Sequence, residues 1–212
     1  MARDEQAART TLFARLKQNT QQVTPPDPSS LLTDLGDIRP ALAASTIIDS
    51  FIAKATSERL TATVEELAGW SAIPAAVARY QLHNGITASP VTGPDPRLTG
   101  LAWGSIEPTQ TLEPNTALAV SVADYGIAET GSLVFTSGTE TPSLTNYLPL
   151  HHIAIVERAK ILAYLDDYWR AAGPPDARLV GFITGTSGTA DIEGRNVRGA
   201  HGPRFLHILI LG

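Results

Sequence analysis

The chain has no cysteine among its 212 residues. That absence excludes disulfides, zinc–thiolate sites, cysteine-ligated iron–sulfur clusters and a thiol nucleophile in these residues. Basic charge is also scarce, since 16 Lys and Arg stand against 21 Asp and Glu for a net charge of −5. A general nucleic-acid binder displays a basic surface, so only a local basic site is compatible with this balance. Apolar runs are short: none approaches the ~20 residues of a membrane-spanning helix, and the polar opening Met1 to Thr10 has no stretch of signal-peptide type. A cytoplasmic protein is expected. What is present, 43% apolar residues over this length, suffices for one core, because a ~150-residue domain already buries about 70% of its unfolded surface.

The pattern along the chain predicts an arm followed by a domain. Leu12, Phe13 and Leu16 recur at helical spacing, and Pro25, Pro26 and Pro28 then remove three backbone donors, so residues 1–30 read as a helical arm with a Pro-rich linker and 31–212 as the domain. Helices are predicted at 47–57, from Ile48, Phe51, Ile52 and Ala55, and at 71–82, with Ser71 as cap and Pro74 in the first turn. Weak alternation over 59–64 predicts a strand, and Gly93 to Pro96 a loop. Short apolar runs at 116–123, 132–136, 152–156, 179–184 and 205–211 predict strands covered on both faces. Between two of these, Ile161, Leu162, Leu165 and Trp169 suggest a helix over 157–170, hence a βαβ unit in a three-layer Rossmann-like α/β fold.

Three polar, glycine-bearing segments fall at predicted strand ends, where open α/β sheets bind ligands. In the first, 123–132, Asp124 and Glu129 flank Gly126, and a carboxylate there suits a base, a nucleophile or a hydrogen-bond acceptor; acidic turn residues of a hairpin or strand crossover are the simpler explanation of the pattern. The second, 184–194, carries Gly185, Ser187, Gly188 and Thr189, small residues that let backbone N–H groups approach an anion at a helix start, or else cap an ordinary loop. It lacks the Gly-Lys-Ser/Thr ending of a Walker motif, and no G-x-G-x-x-G occurs. The third, 195–204, gathers Arg195, Arg198, Arg204 and His201, a cluster suited to a carboxylate or phosphate or to ion pairs with Asp191 and Glu193. His151 and His152, adjacent in a strand, should point to opposite faces and are poorly placed to chelate one metal together. His207, set among Leu206, Ile208 and Leu209, reads as a hydrogen-bonded core histidine. No metal-ligand spacing, G-x-S-x-G elbow or Ser-His-Asp order is present.

The stretches Ala123-Asp-Tyr-Gly-Ile-Ala-Glu-Thr-Gly-Ser-Leu-Val, Leu150-His-His-Ile-Ala-Ile-Val, Gly185 to Glu193 and Gly199-Ala-His-Gly-Pro-Arg together resemble the lactate utilization protein C family (LutC/YkgG, or LUD-domain proteins). The resemblance is strongest over 116–211. The family's loop usually reads Gly-Pro-Ser-Lys/Arg-Thr-Ala-Asp-Ile-Glu, and here Gly188 stands where the basic residue is expected, which implies weaker anion binding at that position. The resemblance implies a fold similar to the sugar-phosphate isomerase and CoA-transferase group (NagB/RpiA-like). It also implies a short-form LUD protein acting in the oxidation of L-lactate to pyruvate. Iron–sulfur clusters would then belong to LutA/LutB-like partner proteins and no cofactor to this chain.

Three functions follow as expectations. The leading one is an accessory or substrate-handling subunit, with Arg198 or Arg204 facing a carboxylate, Gly185, Ser187 and Thr189 completing an anion site, and Asp124, Glu129 or His201 orienting the ligand. A second is an independent acyl- or CoA-transferase-like enzyme using Glu129 as nucleophile. A third is a non-catalytic ligand-binding scaffold.

Overall fold

The computed structural model describes residues 2–19, 39–173, 176–190, 196–199 and 201–212. Residues Met1 to Pro40 form one unit and Ala41 to Gly212 another. The first unit contains helix α1 (Ala2–Asn19), on which Leu12 and Phe13 are exposed. The Pro-rich linker and the 30/31 boundary lie outside the described residues.

The second unit is built on a parallel sheet. Its strands are β1 (Thr63–Leu67), β2 (Val91–Thr92), β3 (Leu118–Val122), β6 (His151–Glu157) and β11 (Phe205–Leu211), in the order β1-β11-β6-β3-β2. The unbroken apolar runs Ile153–Val156 of β6 and Ile208–Leu211 of β11 are explained by burial on both faces. Ala154, Val156, Ile208 and Ile210 pack with Phe51 and Ala55 of α2 (Ile47–Ala55), whereas Ile153, Ile155, Leu209 and Leu211 pack with Ile73 and Val77 of α3 (Ile73–Asn84). Thr46 caps α2 by accepting from Asp49 N–H at 3.0 Å. Helix α3 grows out of a 3-10 turn at Trp70–Ala72, so Ala72 and not Ser71 occupies its N-cap, while Pro74 sits in the first turn as expected. The short helix α4 (Pro96–Thr99) begins inside the stretch expected to be a loop, capped by Asp95.

A second sheet, which the sequence pattern did not separate from the first, joins β4 (Tyr125–Ile127), β5 (Ser132–Thr136), β7 (Ile161–Leu162) and β8 (Val180–Thr184) in the order β7-β4-β5-β8. Leu133 and Phe135 of β5 face the α2 side of the main core; Val134 and Ile127 face Tyr168 of α6 (Leu165–Ala172). The expected helix over 157–170 is therefore divided. Arg158–Lys160 form a 3-10 turn, Ile161 and Leu162 pair with Gly126 and Ile127, and α6 starts at Leu165, where the Asp167 carboxylate accepts from Tyr164 N–H at 3.2 Å. Because β6 and β8 belong to different sheets, the expected βαβ unit does not form, although the class, α/β with helices on both faces of a parallel sheet, does. Residues 59–61 are not strand; β1 begins at Thr63. Beyond β8, Gly188–Ala190 (β9) pairs antiparallel with Asn196–Arg198 (β10), with α5 (Leu144–Tyr147) preceding β6.

Burial in this sheet sets where substitutions hurt. Ile208→Ala empties a fully buried position and is expected to cost about 2–5 kcal/mol, read as a lower urea midpoint. Leu82→Ala, at a position 85% exposed on α3, should cost less than ~0.5 kcal/mol. Similar midpoints for the two variants would contradict the assigned packing.

Candidate functional site

Strand β11 runs parallel between β1 and β6, with Phe205 opposite His151 and His207 opposite Thr63. The segments leading into these strands therefore meet at the amino edge of the sheet. Two of the three polar segments are drawn there. Ser187 N–H donates to Pro203 O at 2.9 Å, Gly199 N–H to Ser187 O at 3.0 Å, and Thr186 N–H to Leu60 O at 3.0 Å. Glycine is required at 185, which has φ +77° and would put a Cβ 2.7 Å from the Leu60 backbone.

Arg198 is the centre of this edge. Its Nη1 donates to the hydroxyls of Thr61 and Thr186, the latter at 3.1 Å, and Nη2 donates to Glu58 O at 3.4 Å. Thr61 and Thr186 also bond each other, Oγ1 to Oγ1, at 2.8 Å. All these acceptors are neutral, and no carboxylate pairs with the half-buried guanidinium among the described residues. A cation held by neutral dipoles keeps its charge available to an anion, for which the guanidinium fork offers paired donors. Thr61 itself has φ +55°, alone in this among the described non-glycine residues. For a β-branched residue this region costs about 1–3 kcal/mol, here offset by Thr61 N–H donating to Ser57 O at 2.8 Å and by the Arg198 and Thr186 contacts.

Beside Thr61 an open cleft of about 330 Å³ lies between α3 and the first residues of β1 and β11, lined by Thr63, Glu65, Arg79, Tyr80, Phe205 and His207 among others. His207 Nδ1 is 2.7 Å from Thr63 Oγ1, and its Nε2 faces Glu65 Oε2 at 3.7 Å. Tyr80 stacks on His207 with centroids 4.8 Å apart and its hydroxyl lies 3.0 Å from His151 Nδ1. Burial pushes the Tyr80 phenol up to about 12 and lowers the His207 and His151 imidazoles, the fall at His207 being opposed by the Glu65 carboxylate.

The remaining expected residues are dispersed. Asp124 lies at the opposite, carboxyl edge, where it accepts Thr136 N–H at 2.6 Å in a cleft with Arg97, Tyr125, Glu157 and Lys160. Arg97 is engaged there by Asp95, with Nη2 to Oδ2 at 2.6 Å. Glu129 stands at the other end of β4 from Asp124, roughly 15 Å along an extended strand. It accepts Leu165 N–H at 3.2 Å at the start of α6, so its place is a hydrogen bond within the fold. The expected helix start after Ser187 is replaced by the β9–β10 hairpin: Thr189 pairs with Val197, so neither Ser187 nor Thr189 caps a helix among the described residues. Arg204 is exposed, with its guanidinium carbon 5.5 Å from the centroid of the Phe205 ring, and His201 is exposed in the same loop. Asp191, Glu193 and Arg195 lie outside the described residues. Among the described residues no His, Cys, Asp and Glu side chains gather to hold a metal ion.

His151 and His152 do point to opposite faces. His152 is fully buried, with Nε2 2.7 Å from Ser121 Oγ, which in turn donates to Asn146 Oδ1 at 2.7 Å. With the serine proton on Asn146, Nε2–H of His152 donates to Ser121, an arrangement opposite to that of an activated nucleophile. Thr61, Thr63, Glu65, Arg79 and Tyr80 were not among the sequence candidates. Their partners lie up to 144 residues away along the chain, and only the hydroxyl-rich run before β1 was a local signal.

Residues 115–211 match the family model described as LUD domain. "Lactate utilization protein C" of Halalkalibacterium halodurans is 33% identical over 100 residues, 44% of this chain and 44% of that protein. That of Bacillus pumilus is 29% identical over 116 residues, covering 51% and 48% respectively, and "Uncharacterized protein YkgG" of Escherichia coli is 33% identical over 92 residues, covering 41% and 40%. The matched stretch thus spans less than half the length of these curated relatives. The crystal structure of a DUF162 family protein from Deinococcus radiodurans is similar in fold, with a TM-score of 0.55 at 16% identity over 78% of this chain and 96% of that one.

The three strand histidines give the unit a defined acid sensitivity. Burial lowers His151 and His207 and takes His152 down to about 3, below the unfolded value of about 6.5. Their contribution to stability is complete above about pH 6.5 and is lost as pH falls through the folded values. The urea midpoint is expected to fall steadily from pH 6.5 to 4.5, and less steeply in His152→Gln. A flat midpoint across that range would contradict neutral burial of the histidines.

Proposed function

We propose, from the match of residues 115–211 to the LUD-domain family model, that the chain is a substrate-handling subunit of an L-lactate utilization system. Its task in this reading is to hold the carboxylate of lactate or pyruvate at the amino edge of the sheet. The observation that carries the reading is Arg198, a half-buried guanidinium set on the hydroxyls of Thr61 and Thr186 and the carbonyl of Glu58 without a carboxylate partner among the described residues. A carboxylate offers two acceptors in the plane of the fork, and a charge-assisted pair of this kind is stronger than the neutral bonds it joins. Two hydroxyls and one carbonyl favour the cation and, among the described residues, leave it unneutralised.

Oxidation of the alcohol carbon to a ketone releases two electrons and two protons. The cysteine-free chain has no thiolate for an iron–sulfur cluster, and in this reading, which takes its partners from the family resemblance, the electrons pass to iron–sulfur partner proteins. Curated relatives of the chain carry lactate utilization in their names, which supports the pathway. Glu129 is bound to the α6 amino end and Asp124 to the β5 backbone, so neither enters this reading as a nucleophile.

Reconstitution with the two iron–sulfur partner proteins tests it. Lactate oxidation is expected to fall at least tenfold when this chain is omitted, and Arg198→Gln to raise the half-saturating lactate concentration by roughly 10-fold or more, the size of a lost charge-assisted bond. An unchanged rate on omission would overturn the subunit assignment; an unchanged half-saturation in Arg198→Gln would overturn the role of the arginine.

A further inference from the structure

We propose that the cleft beside Thr61 is the hydroxyl-recognising half of the same site, in which Glu65 and His207 read the hydroxyl of a small 2-hydroxy carboxylate whose carboxylate lies toward Arg198. The proposal rests on the carboxylate reading of Arg198 and extends it from any small carboxylate to hydroxy acids.

Three features carry it. Continuity comes first: Thr61 lines the cleft and is bonded to Arg198, and its left-handed backbone turns the chain so that the hydroxyl meets the guanidinium immediately before Thr63 starts β1. Non-glycine residues in such a conformation collect at ligand sites, where surrounding contacts hold the strain.

Donor and acceptor placement comes second. A carboxylate only accepts, so the His207 nitrogen facing Glu65, Nε2, carries the proton and Nδ1 accepts from the Thr63 hydroxyl. At 3.7 Å the Nε2–H and the Glu65 oxygen are too far apart for a good mutual hydrogen bond. Side by side in an open cleft they offer one donor and one acceptor, the complement of an alcohol, whose oxygen accepts from His207 while its proton goes to Glu65. An unsubstituted acid has no atom to satisfy either group.

Rigidity and size come third. Tyr80 stacks on the His207 ring, and Thr63 fixes its orientation, so the imidazole is held before a ligand arrives. Arg79 is paired to Glu65, which fixes that carboxylate beside a histidine whose burial favours the neutral form. His83 on the same helix and His151 beneath Tyr80 complete the titratable groups around the imidazole. At about 330 Å³ the cleft is at the small end of small-molecule sites, ~300–1,000 Å³, and so suits a compact ligand.

Calorimetry with sodium L-lactate and sodium propionate isolates the hydroxyl, because the two anions differ chiefly by that group. L-lactate is expected to bind at least tenfold more tightly than propionate. Glu65→Gln, at a partly exposed position whose replacement spares the core, should reduce the preference to about threefold or less while leaving propionate affinity within about twofold. Saturating L-lactate, and not propionate, should shift the His207 imidazole resonances in a heteronuclear spectrum. Equal binding of the two anions, or a preference unaltered in both Glu65→Gln and His207→Gln, overturns the inference. Equal binding that is abolished in Arg198→Gln leaves the carboxylate reading standing, so the two failures are told apart; binding of neither anion overturns both.

Discussion

The insertion of β11 between β1 and β6 is the constraint on which the arrangement depends. A strand from the end of the sequence completes the middle of a sheet whose neighbours begin at Thr63 and His151. It buries Ile208, Leu209 and Ile210 completely, with two neighbouring side chains facing opposite cores. Each such side chain is worth about 1.5–3 kcal/mol when removed from water, enough to fix the register firmly. The register then dictates chemistry: His207 must stand opposite Thr63, and the residues preceding β11 must lie against Leu150, Leu60 and Thr61. The Arg198–Thr61–Thr186 knot is a consequence of that pairing, and it ties the β9–β10 hairpin to the turn before β1.

The same topology separates residues that look like neighbours in the chain. Asp124 leaves β3 at the carboxyl edge, whereas Glu129, five residues later, has travelled back along β4 and is spent on the start of α6. Positive charge is distributed accordingly. Arg97 is neutralised by Asp95 at one edge, while Arg198 at the other is surrounded by neutral oxygens among the described residues. The edge with Arg198 also has the strained threonine and the histidine set between hydroxyl and carboxylate.

Much of the sheet was legible in the sequence because two-sided burial writes an unbroken apolar run, as in Ile153–Val156 of β6 and Ile208–Leu211 of β11, and because strand 132–136 is bounded by Gly131 and polar residues. The stretch 157–170 was not, since Ile161, Leu165 and Trp169 satisfy a helical period while Ile161 actually pairs in a strand; the choice is made by Gly126 and Ile127, more than thirty residues earlier. The hairpin after Gly185 was mistaken for a helix start because small hydroxyl residues suit both, and pairing of Thr189 with Val197 decides between them. Of the site, Gly185, Ser187 and Arg198 were visible as local composition. Thr61, Thr63 and Glu65 were not, because their meaning comes from partners on β10, β11 and α3.

The most direct test of the central claim, that the amino edge of the sheet and not its carboxyl edge holds the substrate, is a crystal structure of the protein soaked with L-lactate. The expected result is a carboxylate in paired contact with Arg198 and a hydroxyl between His207 and Glu65. Lactate bound instead against Lys160 and Tyr125 beside Asp124, with the Arg198 edge unchanged, would contradict it.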